Sequence, residues 1–275
     1  MIDPMALRYQ TLEQTVQGKT AIITGGTAGI GKACVEVFCA AGMNVVTLGR
    51  SRDKGVRLAE EINAAGKGQC LFFECDVKNT ARIREIVRLT VERFGGIDAL
   101  VNCAGVFPEP KAIDDVSEEQ YRDILENNLV SYFSFCKYTL PYIRQAKGSI
   151  VNIGSIVACT GARHCQAYLS TKGAIEALTR GLALDEATNG VRVNEIKPGH
   201  INTEIFQQML DRSDNPDELR RYFDHVQCLG RGGEPEEVAY AVLFMVSGWS
   251  SFITGTDLIV SGGYELGEGE INLKP

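Results

Sequence analysis

The sequence has no long apolar run and few basic residues, and each shortage excludes a class of protein. No apolar stretch approaches the roughly 20 residues that a membrane-spanning helix needs, and Met1 to Lys19 lacks the apolar core of a signal peptide. Lys and Arg number 28 against 35 for Asp and Glu, which gives a net charge of −7. This acidic balance argues against nucleic acid or an anionic membrane as the main partner.

Metal-ligand and disulfide patterns are also missing. His164, His200 and His225 are far apart, and none of the nine cysteines forms a Cys-x-x-Cys pair, so no metal site is predicted. An odd number of scattered cysteines, several inside apolar segments, favours buried free thiols in a reducing compartment. We therefore expect a cytoplasmic protein.

What the chain does contain is a regular alternation of short apolar runs and longer amphipathic stretches. The predicted strands are Thr20–Thr24, Asn44–Leu48, Cys70–Cys75, Ala99–Asn102, Ser149–Ile153, Arg192–Ile196 and Asp257–Val260. The predicted helices are Gly31–Ala41, Arg52–Ala65, Thr80–Phe94, Ser117–Ala146, Gln166–Thr188 and Pro235–Ser247. Strand-helix repetition predicts an α/β fold with a doubly wound, seven-stranded parallel sheet. No composition shift marks a second domain, so residues 1–275 are expected to form one domain, with an N-terminal extension at 1–18.

A glycine-rich loop lies at the first strand-helix junction. It reads Thr-Gly-Gly-Thr-Ala-Gly-Ile-Gly over residues 24–31 and opens the first predicted helix. Glycines there let the backbone approach a pyrophosphate, whose charge sits at the helix N-terminus. The position predicts a Rossmann-like dinucleotide site that includes Gly25, Thr27, Gly29, Ile30 and Gly31; the alternative is a plain tight turn.

The end of the second strand bears on the choice of cofactor. A fold that prefers NAD usually carries an acid there for the ribose 2′-hydroxyl, whereas this chain has Gly49, Arg50 and Ser51. An arginine suits a 2′-phosphate because its charge is fixed and its donors are paired. We favour NADP(H), with NAD(H) possible; the alternative is a solvated arginine at the start of the next helix.

Small and polar residues follow the third, fourth and fifth strands. Asp76 and Val77 follow the third, Asn102, Ala104 and Gly105 the fourth, and Ser155 ends the fifth. Carboxyl ends of parallel strands meet at one edge of the sheet, where a ligand can lie. Ser155 alone is equally explained as a turn residue or a helix cap.

Tyr168 and Lys172 lie four residues apart in a predicted helix, so both side chains share one face. A lysine ammonium beside a tyrosine favours the phenolate, so the hydroxyl can act as an acid or base closer to neutral pH. The alternative is an interface tyrosine beside a solvated lysine.

These motifs together resemble the single-domain short-chain dehydrogenase/reductase family over Gly18 to Gly267. The resemblance implies catalytic residues Asn128, Ser155, Tyr168 and Lys172 and an NAD(P) cofactor. Further cofactor contacts are implied for Asp76 at the adenine, for Tyr168 and Lys172, and for Pro198, Gly199, Ile201 and Thr203, the last near the nicotinamide amide. Cys103 and Ser261 depart from the usual family motifs, and neither departure removes a catalytic group.

Three C-terminal segments also resemble, more loosely, 17β-hydroxysteroid dehydrogenase type 14 within that family. That enzyme's acid at the end of strand two is replaced here by Gly49, so steroid specificity is not carried over. An NAD-dependent alcohol or 3-oxoacyl reductase of the same family is an alternative. A catalytically silent NADP-binding regulator is an alternative of another class.

Residues 200–228 are predicted to form a substrate lid. Apolar residues flank a polar, proline-containing turn, as in a mobile lid: Ile201, Ile205, Phe206, Met209, Leu210, Tyr222, Phe223 and Val226. Val106, Phe107, Cys159, His164 and Gln166 are candidates to complete the pocket. This composition favours an uncharged, largely apolar ketone or secondary alcohol, with a steroid-like compound as one candidate; the alternative is that the residues simply cover the sheet.

A homotetramer is also expected. The predicted helices 117–146 and 166–188 carry broad apolar faces, and by resemblance they form the main two-fold interface. The residues concerned are Leu125, Leu129, Phe133, Phe135, Leu178, Leu182 and Leu184.

Overall fold

Residues 10–267, described by a computed structural model, form a single α/β unit around one parallel sheet. The seven strands stand in the order β3-β2-β1-β4-β5-β6-β7, and every neighbouring pair is parallel. They are β1 (Thr20–Thr24), β2 (Asn44–Gly49), β3 (Gln69–Glu74), β4 (Ala99–Asn102), β5 (Ser149–Ile153), β6 (Arg192–Pro198) and β7 (Asp257–Val260). The predicted doubly wound Rossmann-like sheet is confirmed.

Helices lie between the strands on both faces of the sheet. They are α1 (Leu12–Val16), α2 (Gly29–Ala40), α3 (Arg52–Ala65), α4 (Thr80–Phe94), α5 (Glu118–Leu125), α6 (Ser131–Ala146), α7 (Val157–Thr160), α8 (Gln166–Glu186), α9 (Glu204–Asp211), α10 (Pro216–His225) and α11 (Pro235–Val246). Capping explains several starts: Asn79 accepts from the Arg82 amide before α4, and Ser117 forms a capping box with Gln120 before α5.

Two apolar cores sandwich the sheet. Alternate residues of a strand point to opposite faces, so Ala21 and Ile23 belong to one core and Ile22 to the other. The first core takes in α2 and α11, and the second takes in α4 and α6. The continuous apolar runs of the central strands therefore reflect burial on both faces.

The helix predicted over 117–146 is present from Glu118 to Ala146, but it is not a regular α-helix throughout. A π-helical turn over Glu126–Val130 separates α5 from α6. Such a turn holds one more residue per hydrogen-bonded ring than an α-helix, and it is frequent at functional sites. Asn127 and Asn128, both buried, lie in this turn, so the irregularity directs amide side chains into the molecule.

The apolar faces expected to mediate association are partly internal. Phe135 is buried in the core that includes α4 and α6. Phe133 and Leu184 are exposed, by 53% and 80% respectively. Fewer of these apolar residues are therefore exposed and able to contact another subunit than the sequence pattern indicates.

The first helix joins the domain instead of extending from it. Val16 is fully buried, and the Thr15 hydroxyl accepts a hydrogen bond from the Gly248 amide at 3.1 Å. The Trp249 indole donates to the Gln10 carbonyl at 3.2 Å. Residues 10–18 of the predicted extension are thus packed, whereas residues 1–9 lie outside the described residues. Within residues 10–267, no helix combines the length and apolarity needed to cross a membrane.

Candidate active site

The glycine-rich loop forms a tight cradle at the carboxyl end of β1. Gly25 has φ +72°, and a Cβ there would lie 2.9 Å from the Cα of Ala104. A Cβ on Gly31 would lie 2.4 Å from the Gly25 carbonyl oxygen. The Thr24 hydroxyl accepts from the amides of Cys103 and Ala104, both at 2.9 Å. Only glycines fit this close approach, so the cradle suits a dinucleotide pyrophosphate.

The N-terminus of α2 carries one intramolecular contact. The Gly29 amide donates to the Glu204 carboxylate at 2.8 Å, and Gly29 has φ +50°. Glu204 is the first residue of α9, in the predicted lid. A carboxylate therefore lies where the helix dipole favours a negative charge.

The end of β2 presents a basic surface. Arg50 and Ser51 are exposed, and Gly49 lies against Thr27, since a Cβ on Gly49 would be 3.0 Å from its side chain. Lys78, in the turn after β3, is paired with Asp123 at 2.8 Å. The predicted phosphate-binding position therefore has the Arg50 guanidinium and no acid from β2.

The turn after β3 is internally bonded. Asp76 accepts from the Lys78 amide at 2.9 Å through a side-chain oxygen, and Asn79 donates to its carbonyl. Val77 packs against the core that includes α4 and α6. These contacts fix the turn at the sheet edge where adenine contacts were expected.

Asn102 faces the sheet interior. Its side chain is fully buried, and its amide donates to Asn152 at 2.9 Å and to the Cys136 sulfur at 3.4 Å. The side chain therefore ties β4 to β5 and lies away from the cleft. Gly105 lies at the cleft itself, because a Cβ there would be 3.4 Å from the Asn128 side-chain oxygen.

Tyr168 and Lys172 lie on the inner face of α8, near the end of β5. The Lys172 ammonium donates to the Ile153 carbonyl at 2.8 Å and is 5.6 Å from the centroid of the Tyr168 ring. Ser155 follows β5 and lies near enough to Tyr168 to lower the pKa of its hydroxyl. The structure thus brings the three predicted catalytic side chains together.

Burial governs the titration of this pair. It raises the pKa of Tyr168 to about 12, although Ser155 acts in the opposite direction. It also lowers the pKa of Lys172 to about 8, against the influence of Cys103 and Glu195. The expected shift of Tyr168 toward neutral pH is absent from the protein alone, because desolvation of the buried hydroxyl is the largest influence on its pKa.

Asn128 clamps the strand-end loop after β4. Its side-chain oxygen accepts from the Val106 amide at 2.8 Å, and its amide donates to the Val106 carbonyl at 2.9 Å. The amide also reaches the Thr171 hydroxyl at 3.4 Å. Asn128 thus links the π-helical turn, the loop and α8 beside Lys172.

The segment after β6 closes over the same edge. Gly199 must be glycine, since a Cβ there would lie 2.7 Å from the Cα of Ser261. The Pro198 carbonyl accepts from the Ile156 amide at 3.0 Å. Ile201 is buried, and Thr203 caps α9 and lies against Gly29. These contacts hold the start of α9 against the glycine loop.

The predicted lid is a helix pair joined by an aromatic cluster. His200 lies 3.9 Å from Phe206 and 4.8 Å from Phe223, measured between ring centroids. Burial lowers the pKa of His200 to about 4, so the ring is neutral at pH 7. Phe206 is buried between α9 and α10, whereas Ile205 and Tyr222 are exposed.

A cleft of about 760 Å³ reaches Tyr168 from the side of α5. Val106, His164 and Gln166 line it, as predicted, and Phe107 lies edge-on to the Tyr168 ring at 5.0 Å. The lining contains no residue of α9 or α10, and it includes charged side chains that were not predicted for the pocket. Its charged members are Glu109, Lys111, Glu119, Arg122, Asp123 and Glu126.

Sequence reasoning missed a buried ionic cluster behind the site. The fully buried Lys197 ammonium donates to Glu176 at 2.7 Å and to Asp257 at 2.9 Å. Carboxylate oxygens of Glu176, Glu195 and Asp257 lie within 4.8 Å of one another. The available signal was the pair of charged residues, Glu195 and Lys197, at alternate positions of a strand predicted to be buried.

Comparisons with known proteins agree with this geometry. Residues 25–265 match the family model described as enoyl-(acyl carrier protein) reductase. The chain is 38% identical to L-fucose dehydrogenase of Bos taurus over 252 residues, which is 92% of this chain and 91% of that one. It is 34% identical to 2,5-dichloro-2,5-cyclohexadiene-1,4-diol dehydrogenase of Sphingobium indicum over 251 residues, 90% of this chain and 98% of that one.

The chain belongs to the short-chain dehydrogenase/reductase family. Among solved structures, the aldohexose dehydrogenase of Thermoplasma acidophilum superposes with a TM-score of 0.83, at 30% identity over 96% of this chain and 99% of that one. Members of this family use NAD(P), and this chain is a dehydrogenase/reductase that acts on CH–OH groups.

Proposed function

We propose that this protein transfers a hydride reversibly between NADP(H) and the carbonyl or secondary alcohol of an uncharged substrate. The observation that carries the proposal is the convergence of Asn128, Ser155, Tyr168 and Lys172 beside the glycine cradle at one edge of the sheet. A silent NADP-binding regulator has no chemical need for all four groups.

The nicotinamide, when bound, supplies or accepts the hydride. In reduction, the hydroxyls of Ser155 and Tyr168 hydrogen-bond the carbonyl oxygen, and Tyr168 donates its proton as the alkoxide forms. Lys172 holds a positive charge near Tyr168 and favours the phenolate that is left. Asn128 fixes the Val106 loop and, in this proposal, holds a water that links Lys172 to solvent.

Arg50 supports a preference for NADP(H) over NAD(H). It is exposed at the end of β2, and the adjacent Gly49 lies against Thr27. A 2′-phosphate would meet the Arg50 guanidinium there, and no acid of β2 takes the place that would bind a free ribose hydroxyl. NAD(H) would gain nothing from this arginine, because it has no 2′-phosphate.

The experiment compares Arg50→Ala with Arg52→Ala. Both residues are exposed arginines, but Arg52 is the first residue of α3 and lies one position beyond Ser51. We expect Arg50→Ala to weaken NADPH binding about tenfold or more and to spare NADH, measured by calorimetry. Arg52→Ala should change both little. Equal wild-type affinity for NADH and NADPH would refute the preference.

Two substrate classes are supported by different observations. Phe107 against Tyr168, with Val106 at the cleft, favours a largely apolar ring ketone or alcohol. The polar and charged lining, together with relatives named for L-fucose and a cyclic diol, favours a hydroxylated ring as the second candidate. NADPH oxidation with cyclohexanone and bulkier apolar ketones, set against NADP⁺ reduction with L-fucose and cyclic diols, separates them. Higher kcat/KM for charged keto acids would refute both.

The remaining proposals concern assembly and location. A homotetramer is supported by the exposed side chains of Phe133 and Leu184. They lie on the two helices that, by resemblance to the family, form the main two-fold interface. All nine cysteines are unpaired in the fold. Free thiols of this number suit a reducing compartment, and we propose the cytoplasm.

A further inference from the structure

Glu195 is a buried acid with no partner, directly behind the catalytic loop. Its side chain is fully buried, and neither carboxylate oxygen has a hydrogen-bond partner among the described residues. A Cβ on Gly154 would lie 1.7 Å from one of these oxygens. Gly154 precedes Ser155, so the carboxyl group fills the space under the catalytic serine loop.

The same acid faces the inner surface of α8. Side chains alternate along β6, so Glu195 and Lys197 point to one face of the sheet. Lys197 bonds Glu176 of α8 there, and Glu176 lies one helical turn after Lys172. The Lys172 ammonium donates to the carbonyl of Ile153, the residue before Gly154, and the Glu195 carboxyl group lies against Gly154. Glu195 therefore lies beside the catalytic lysine while its carboxyl group belongs to the ionic cluster.

The charges of the ionic cluster cancel one another when Glu195 is left out. Glu176 and Asp257 contribute two negative charges, and Lys197 and Arg180, which bonds both carboxylates, contribute two positive ones. A third carboxylate is the unbalanced charge. A metal ion is not required, because the Lys197 ammonium already supplies the cation between the acids.

Each neighbouring element contributes identifiable groups around Glu195. The helix α8 contributes Lys172, Glu176 and Arg180, β6 itself contributes Lys197, and β7 contributes Asp257. On α6, the Tyr132 hydroxyl donates to the Ile153 carbonyl, and Glu195 is one of the groups that raise the pKa of Tyr132. Burial raises the pKa of Glu195 to about 8, with Lys197 opposing and Asp257 and Glu176 adding to the rise. The acid therefore titrates in the same range as Lys172.

We propose that Glu195 is a positioning residue that sets the charge on Lys172. It acts electrostatically, from the side of the lysine that faces away from the cleft. When Glu195 is ionised, its negative charge holds Lys172 in the ammonium form. When Glu195 is protonated, that support is withdrawn. Because the charge on each group affects the other, the two groups titrate as a coupled pair, and the only change is the binding or release of protons. This inference rests on the proposed function for the role of Lys172.

The first test needs no substrate. Infrared pH-difference spectra of the wild-type protein should show the carbonyl stretch of a protonated carboxylic acid at pH 6, lost between about pH 7 and 9. Glu195→Gln should abolish that change. Glu186→Gln should keep it, because Glu186 is a buried acid at the far end of α8, paired with Arg144. A wild-type protein without this protonated band would overturn the proposal.

The second test measures the coupling to Lys172. In the reduction of cyclohexanone by NADPH, the alkaline limb of kcat/KM should move to lower pH by about one unit in Glu195→Gln, since a unit charge several ångströms away is lost. Glu195→Asp, which keeps an acid, should restore at least part of the shift, and Glu186→Gln should leave the limb in place. An unmoved limb in Glu195→Gln would overturn the link to Lys172.

Failure of the proposed function gives a different pattern. If no variant reduces cyclohexanone, the substrate class has failed, and the pH dependence of the NADPH dissociation constant replaces the kinetic profile. A shift of that dependence in Glu195→Gln supports the inference, and its absence overturns it. If Glu195→Gln does not fold, the wild-type infrared titration and Glu195→Asp decide the question.

Discussion

Glu204→Gln should tighten NADPH binding. The Glu204 carboxylate accepts from the Gly29 amide at 2.8 Å, at the N-terminus of α2 where the pyrophosphate is proposed to bind. Two anions cannot share this amide, so the cofactor must displace the carboxylate or bind beside it. A neutral glutamine lowers the free energy needed to displace the side chain from the Gly29 amide. It also lowers the repulsion between that side chain and a pyrophosphate bound beside it.

The size of the effect follows from exposure. A charge at a helix N-terminus contributes about 0.3–1 kcal/mol at the surface, and Glu204 is exposed, so a value of about 0.5–1 kcal/mol is appropriate. This corresponds to a roughly two- to fivefold lower Kd for NADPH. The gain should shrink as salt is raised, because solvent-exposed charges are screened.

Calorimetric titration of NADPH at low and high salt provides the assay. Asp211→Asn is the matched control: it removes one negative charge from the other end of α9, where Asp211 contacts Gln207 and not the glycine loop. That variant should bind NADPH with nearly wild-type affinity. Unchanged or weaker binding in Glu204→Gln would show that the contact with Gly29 does not oppose the cofactor.

Three further predictions concern catalysis, stability and assembly. Tyr168→Phe should abolish turnover and leave NADPH affinity nearly intact, because the hydroxyl acts on the substrate; retention of more than a small fraction of activity would contradict the assignment. Glu186→Gln should lower the free energy of unfolding by about 1–3 kcal/mol in denaturant titrations at pH 7. Hydrogen bonds from Arg144 lower the pKa of Glu186 below 4.5. The difference from wild type should therefore be complete above about pH 4.5 and disappear as the pH falls through that lowered value. Light scattering at micromolar concentration should show a tetramer that Leu184→Asp dissociates, whereas a monomeric wild type would rule out the interface.

The fold was predictable because the apolar runs of the central strands are buried on both faces of the sheet. Four strands have the predicted bounds, and β6 extends two residues further, to Pro198. The π-helical turn at 126–130 was not predictable. The segment 117–146 has the composition of a continuous helix, and one additional residue in a turn leaves no mark on periodicity.

The residues of the site were predictable to the extent that short motifs carry them. Tyr168, Lys172 and Ser155 meet because α8 and the end of β5 share one sheet edge. The role of Asn102 in joining β4 to β5 could not be read from its position, because a strand-end asparagine can face either the cleft or the interior. The cluster around Lys197 and Glu195 was missed because its other acids, Glu176 on α8 and Asp257 on β7, are distant in sequence.

Gly154 and Glu195 occupy one shared volume, and this has a consequence for sequence variation. A methyl group at position 154 would overlap the carboxyl oxygen of Glu195, so the two positions cannot enlarge independently. A relative with alanine at 154 should carry a shorter side chain at 195, such as that of aspartate. The two positions should therefore co-vary across the family, with glycine at 154 accompanying glutamate at 195.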